Sequence, residues 1–92
     1  MTHGYSEHRA ELVNRLHRIE GQVRGIERMV EEDRYCIDVV TQVTAIQAAL
    51  DKVALGLMDD HAHHCVVGGP DSKKEERTQE LMAAVGRLMR RG

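Results

Sequence analysis

The stretch ELVNRLHRIEGQVRGIERMV, residues 11–30, carries apolar side chains at Leu12, Leu16, Ile19, Val23, Ile26 and Val30. Those positions step by four, three, four, three and four, which keeps them on one face of a helix of about 3.6 residues per turn. Between them stand Glu, Arg, Gln and His, as a solvated face requires. Ser6 is placed to cap the start by accepting a bond from an unpaired backbone N–H. Gly21 and Gly25 weaken the helix slightly and would let a partner approach closely.

The stripe loses phase at Glu31-Glu32-Asp33-Arg34 and resumes at Cys36, Val40, Val43, Ile46 or Gln47, Leu50, Val53 and Leu57. A second helix is expected from about 33 to 65, although no Gly or Pro marks its start. Val66-Val67-Gly68-Gly69-Pro70 ends it in a turn. Ser72-Lys73-Lys74-Glu75 has the form of a capping box opening a third helix over about 72–90. Leu81, Met82, Val85, Leu88 and Met89 form its apolar side, and Arg87, Arg90 and Arg91 suit its negative end.

Composition agrees with an all-α fold. Hydrophobic residues are 41% of the 92, with no Phe or Trp and two Tyr, so Leu, Val, Ile, Met and Ala must build the core. The length predicts a single domain over residues 1–92, with the first helix spanning about 6–32. A helix of about 30 residues is about 45 Å long, more than a compact monomer of this size needs. A hairpin of two such helices leaves apolar side surface wet, and pairing hairpins into an antiparallel four-helix bundle covers it. A homo-oligomer is expected. The formal charge of −2 excludes a chain that coats nucleic acid by charge alone, though not a local basic patch. No signal peptide and no long apolar run are seen, so a soluble cytoplasmic protein with reduced thiols is expected.

His61 and Cys65 lie one turn apart on one helix face, the spacing at which two side chains grip a single metal ion. His64 is an alternative to Cys65 in spacing, while His63 points away. Cys36 alone reads as a small apolar seam residue. Counted at 100° per residue, however, it faces the same way as His61 and Cys65, both within about 20° of its direction. Along an unbroken helix it stands about 37–43 Å from them, so one chain cannot bring the three together. An antiparallel second copy can. Two thiolates and an imidazole form a soft set that favours Cu(I). Zn(II) would want a fourth ligand, and Ni(II) or Co(II) would want more nitrogen donors, His3 being one source.

At these residues the sequence resembles the CsoR/RcnR family of metal-sensing transcriptional repressors, and within it the copper-sensing branch. The resemblance runs from about Glu11 to Leu88. It is carried by Asn14-Arg15-Leu16, by Arg18 to Val23, by Met29 to Val39, by Gln42 to Leu50 and by His61-Ala62-His63-His64-Cys65. It implies a three-helix protomer, paired in an antiparallel four-helix bundle and assembled as a dimer of dimers. It implies Cu(I) held by Cys36 of one subunit with His61 and Cys65 of its partner. Tyr35 and Glu80 match positions that hydrogen-bond the imidazole.

The apo homotetramer is then expected to bind operator DNA ahead of copper-efflux or resistance genes and to leave it on binding Cu(I). DNA contacts fall at positions matching Arg15 and Lys52, with Arg18 and His17 beside them, and no helix-turn-helix is present. Rival readings are a nickel or cobalt sensor, a thiol switch responding to persulfide or formaldehyde, and a cytosolic copper buffer. No spacing suggests a nucleophile–base pair, so an enzyme is not expected.

Overall fold

A left-handed residue ends the first helix. The structure, a computed structural model, describes residues 8–91, and helix α1 runs Arg9–Glu31. Asp33 has φ of 54°, and around it the Asp33 N–H donates to the Val30 carbonyl at 3.1 Å while the Arg34 N–H donates to the Met29 carbonyl at 2.9 Å. This pair of bonds is a Schellman stop, which satisfies carbonyls that the ended helix leaves without partners. Glycine usually occupies the left-handed position. Because Asp does so here, the second helix, expected from about residue 33, begins three residues later: α2 is Cys36–Asp60. The Tyr35 carbonyl accepts from the N–H groups of Asp38 at 3.0 Å and Val39 at 3.3 Å, opening it. Ser6, the expected cap of α1, lies outside the described residues.

Asp33→Gly is expected to raise stability by about 0.5–1 kcal/mol, since a Cβ disfavours the left-handed conformation. Urea unfolding at fixed protein concentration checks this. A lowered midpoint would show that the Asp33 side chain holds the turn.

Residues 10–53 form one compact unit, containing all of α1 but Arg9 and most of α2. Ile19, Ile46 and Val53 are its buried side chains, with Leu12, Ile26 and Ala49 packed against them. The apolar stripe of α1 therefore divides into two lines of period seven. Leu12, Ile19 and Ile26 serve this core, while Leu16, Val23 and Val30 are 40%, 42% and 60% exposed. Helix α2 divides likewise: Ile46 and Val53 turn inward, and Cys36, Val43 and Leu50, seven residues apart, are exposed. Each helix thus carries one more apolar line than its own hairpin uses.

Residues 54–91, with 8 and 9, form the other unit. Here α2 does not stay α-helical to Cys65. It ends at Asp60, and His61–Val67 form a π-helical segment. The Gly68 N–H closes it by donating to the His63 carbonyl at 3.0 Å. At Gly69 a Cβ would stand 2.5 Å from the Cys65 carbonyl oxygen, so the chain folds back against the segment only because this position has no side chain.

After Pro70 a single 3₁₀ turn, Asp71–Lys73, leads into α3, Lys74–Arg91. The Lys73 N–H donates to the Pro70 carbonyl at 3.0 Å, and Lys74 Nζ pairs with Asp71 Oδ1 at 3.0 Å. These replace the expected Ser72–Glu75 capping box. On α3, Leu81, Val85 and Leu88 are half-buried, while Met82 and Met89 are exposed. Among the described residues no helix is long and apolar enough to cross a membrane.

Candidate metal centre and nucleic-acid interface

His61 opens the π-helical segment and is partly buried. Its Nε2 lies 3.0 Å from the backbone carbonyl oxygen of Arg77 on α3. A carbonyl only accepts, so Nε2 carries the proton and donates, which in the neutral imidazole leaves the lone pair on Nδ1. A second partner of this kind is how metal-binding histidines are oriented. Cys65, a free and partly buried thiol, follows four residues on. Four residues are about 40° past a full turn on an α-helix. The wider π turn, whose bonds run i to i+5, brings the two positions closer to one line.

The π segment is the local departure from regular helix that the sequence pattern did not announce. Asp60, immediately before it, is buried and accepts from His8 Nδ1 at 2.9 Å, an anchor formed by residues 52 apart in the chain. His63 lies 3.3 Å from Asp59 Oδ1 on the exposed side.

Cys36, also a free thiol, is exposed at the first position of α2, beside exposed Tyr35. It belongs to the compact unit 10–53, whereas His61 and Cys65 belong to the other. Among the described residues of one chain, no three His, Cys, Asp or Glu side chains gather as a metal site. Glu80 is exposed and lines a hollow of about 380 Å³ with His61, Ala54, Leu57 and Leu81. The imidazole's hydrogen bond, however, goes to the Arg77 carbonyl rather than to the Glu80 carboxylate. His3 lies outside the described residues. Sequence reading passed over Arg77, since no spacing links a residue of α3 to the segment that α3 folds back upon.

Arg15, Arg18 and Lys52 do come together. All three line one hollow of about 260 Å³ on the α1–α2 hairpin, together with Ile19, Gln22, Ala45, Ala48 and Ala49. Arg15 is lightly tethered to Glu11, at 3.4 Å. Arg18 and Lys52 make no ion pair among the described residues.

Comparison with known proteins places this arrangement. A family model described as metal-sensitive transcriptional repressor matches residues 8–87. The chain is 58% identical over 83 residues to the copper-sensing transcriptional repressor CsoR of Bacillus subtilis (strain 168), covering 89% of this chain and 82% of that protein. It is similar to the crystal structure of the copper-sensing repressor CsoR with Cu(I) from Geobacillus thermodenitrificans NG80-2, at a TM-score of 0.80 and 44% identity, over 91% of this chain and 88% of that one. It is also similar to the nickel-responsive transcriptional regulator InrS, at a TM-score of 0.73 and 42% identity, over 86% of this chain and 90% of that one. One fold therefore serves more than one metal, and the donor set has to discriminate between them. With a family model matching residues 8–87 and the three-helix topology shared with solved relatives at 44% and 42% identity, the chain belongs to the metal-sensitive transcriptional repressor family.

Proposed function

We propose that this chain is a Cu(I)-responsive repressor that binds operator DNA without metal and releases it on binding Cu(I), derepressing copper-efflux or resistance genes. The observation that carries this reading is the His61 imidazole, held through Nε2 by the Arg77 carbonyl with Nδ1 left open, one π turn from the Cys65 thiol. Joined by the Cys36 thiol of a second copy, they give two soft sulfurs and one nitrogen, which suits Cu(I) and undersupplies Ni(II) or Co(II). Likeness to two copper-sensing repressors supports the same choice. Bound Cu(I) supplies a cationic centre that links donors from two chains.

The chain's own residues do the rest. Leu16, Val23 and Val30 on α1, with Val43 and Leu50 on α2, offer apolar lines that a second hairpin would cover, giving an antiparallel four-helix bundle. Cys36 stands in phase with Val43 and Leu50, so the same association carries it to the partner. A two-fold pair then holds two equivalent sites, and a dimer of such pairs is the expected repressor. Tyr35, beside Cys36, accompanies it to the partner's imidazole, with Glu80 near that ring. Arg15, Arg18 and Lys52 hold DNA phosphates, and copies of their hollow on several subunits set the spacing that the duplex must match.

Anaerobic titration of the protein on its operator with Cu(I), Ni(II), Zn(II) and persulfide tests the reading. Cu(I) is expected to release the DNA at the lowest free concentration. Linkage requires DNA to weaken Cu(I) binding by the same factor, typically about 5–150-fold. Release by persulfide but not by Cu(I) would reassign the chain as a thiol switch, and tight Cu(I) binding without operator binding would make it a buffer.

A further inference from the structure

We propose that Arg77 is a positioning residue that holds His61 and Cys65 as one ligand pair and ties that pair to α3, a role that rests on the metal reading above. Three observations converge on it. Its backbone carbonyl accepts the His61 Nε2–H bond at 3.0 Å, and its guanidinium Nη1 donates to the Cys65 carbonyl at 3.3 Å. One residue therefore touches both ligand-bearing positions, with backbone on one and side chain on the other. The third observation is Gly69, where a Cβ would meet the Cys65 carbonyl oxygen at 2.5 Å and Arg77 Nη1 at 3.0 Å. Absence of a side chain there is what admits the guanidinium to that carbonyl.

The pairing is specific to this place in the fold. Carbonyls in the last turn of a helical segment lack partners within it. The His63 carbonyl is taken by the Gly68 N–H, and the Cys65 carbonyl by Arg77. Arg77 is partly buried and makes no ion pair among the described residues, although Glu80 stands three residues ahead on the same helix. Its charge is spent on a backbone oxygen. Rotation of the imidazole or displacement of Cys65 therefore acts on the same residue of α3, which links the two positions while both bonds hold.

Arg77→Met removes the donors and keeps the aliphatic stem, and Arg77→Lys restores one donor. Neither touches the backbone carbonyl that His61 uses. Cu(I) affinity measured by competition with a chromogenic chelator is expected to fall about 10–100-fold in Arg77→Met, the usual effect of removing a residue that orients a metal ligand. Arg77→Lys should recover part of the loss, while metal-free operator affinity and helix content stay within twofold of wild type. In the metal-free protein, ¹⁵N imidazole spectra should show His61 with its proton on Nε2 in the wild type and both variants.

Cu(I) affinity of Arg77→Met within twofold of a wild type that binds tightly would overturn the role and leave the metal reading standing. So would an Nδ1–H tautomer in the wild type, or equal loss of Cu(I) affinity, helix content and operator binding in Met and Lys variants alike. A wild type that fails to bind Cu(I) overturns the metal reading, and this role with it.

Discussion

Cys36→Ser is expected to weaken Cu(I) binding by roughly three orders of magnitude, about 4 kcal/mol, and to abolish Cu(I)-driven release from DNA. A hydroxyl is nearly the size of a thiol but a hard, protonated donor, and Cu(I) selects thiolate. Cys36 is exposed and in no core, so metal-free operator affinity should stay within twofold of wild type. A combination experiment tests how the site is shared. In a mixed pair of Cys36→Ser and His61→Ala subunits, Cys36 of the second meets His61 and Cys65 of the first. Random pairing then restores about a quarter of the wild-type sites, because half the dimers are mixed and each regains one of its two sites. Stoichiometric Cu(I) titration of the re-annealed mixture reads this directly. Recovery of nothing would place all three ligands within a single chain or dismiss the triad.

The second large effect concerns DNA. Arg15→Ala with Lys52→Ala is expected to lower metal-free operator affinity at least about a hundredfold near 0.15 M salt, and to flatten its salt dependence by about 0.9 in slope for every phosphate contact removed. Loss should be similar on operator and unrelated duplexes, since phosphate contacts position a protein without reading sequence. Cu(I) affinity should stay within twofold of wild type. Lys74→Ala serves as the control, for that cation is paired with Asp71 at 3.0 Å and lies in the other compact unit. An unchanged salt slope in the double variant would remove the basic hollow from the DNA interface.

Leu12 to Val30 announced α1 because apolar residues at helical spacing have one way to share a face. The same residues also announced that a single chain is not enough: the structure divides them into an inward line at Leu12, Ile19 and Ile26 and an outward line at Leu16, Val23 and Val30. The reversal at residues 31–35 was visible as a loss of phase but not in its place. It depends on Asp33 taking a backbone conformation for which glycine is the usual marker. The capping box before α3 was legible as a pattern and is not formed, because Pro70 and a 3₁₀ turn bring the chain in from a different direction.

At the proposed site, Cys36, His61 and Cys65 were readable as candidate ligands at suggestive spacing, and the local sequence by itself determined the apolar faces of the helices and the soft character of these three side chains. These are properties of neighbouring residues, fixed by short-range periodicity and side-chain chemistry. What tertiary structure decided was how these side chains are presented. It converts the end of α2 to a π-helical segment, turns the His61 imidazole so that Nδ1 is open, and sets Arg77 of α3 against both His61 and Cys65. It likewise gathers Arg15, Arg18 and Lys52 around one hollow. Those relations join residues 12 to 37 positions apart, across turns whose geometry rests on single backbone angles and on the missing Cβ of Gly69. No periodicity in the chain encodes a contact of that range, because it exists only once the helices have folded back on one another.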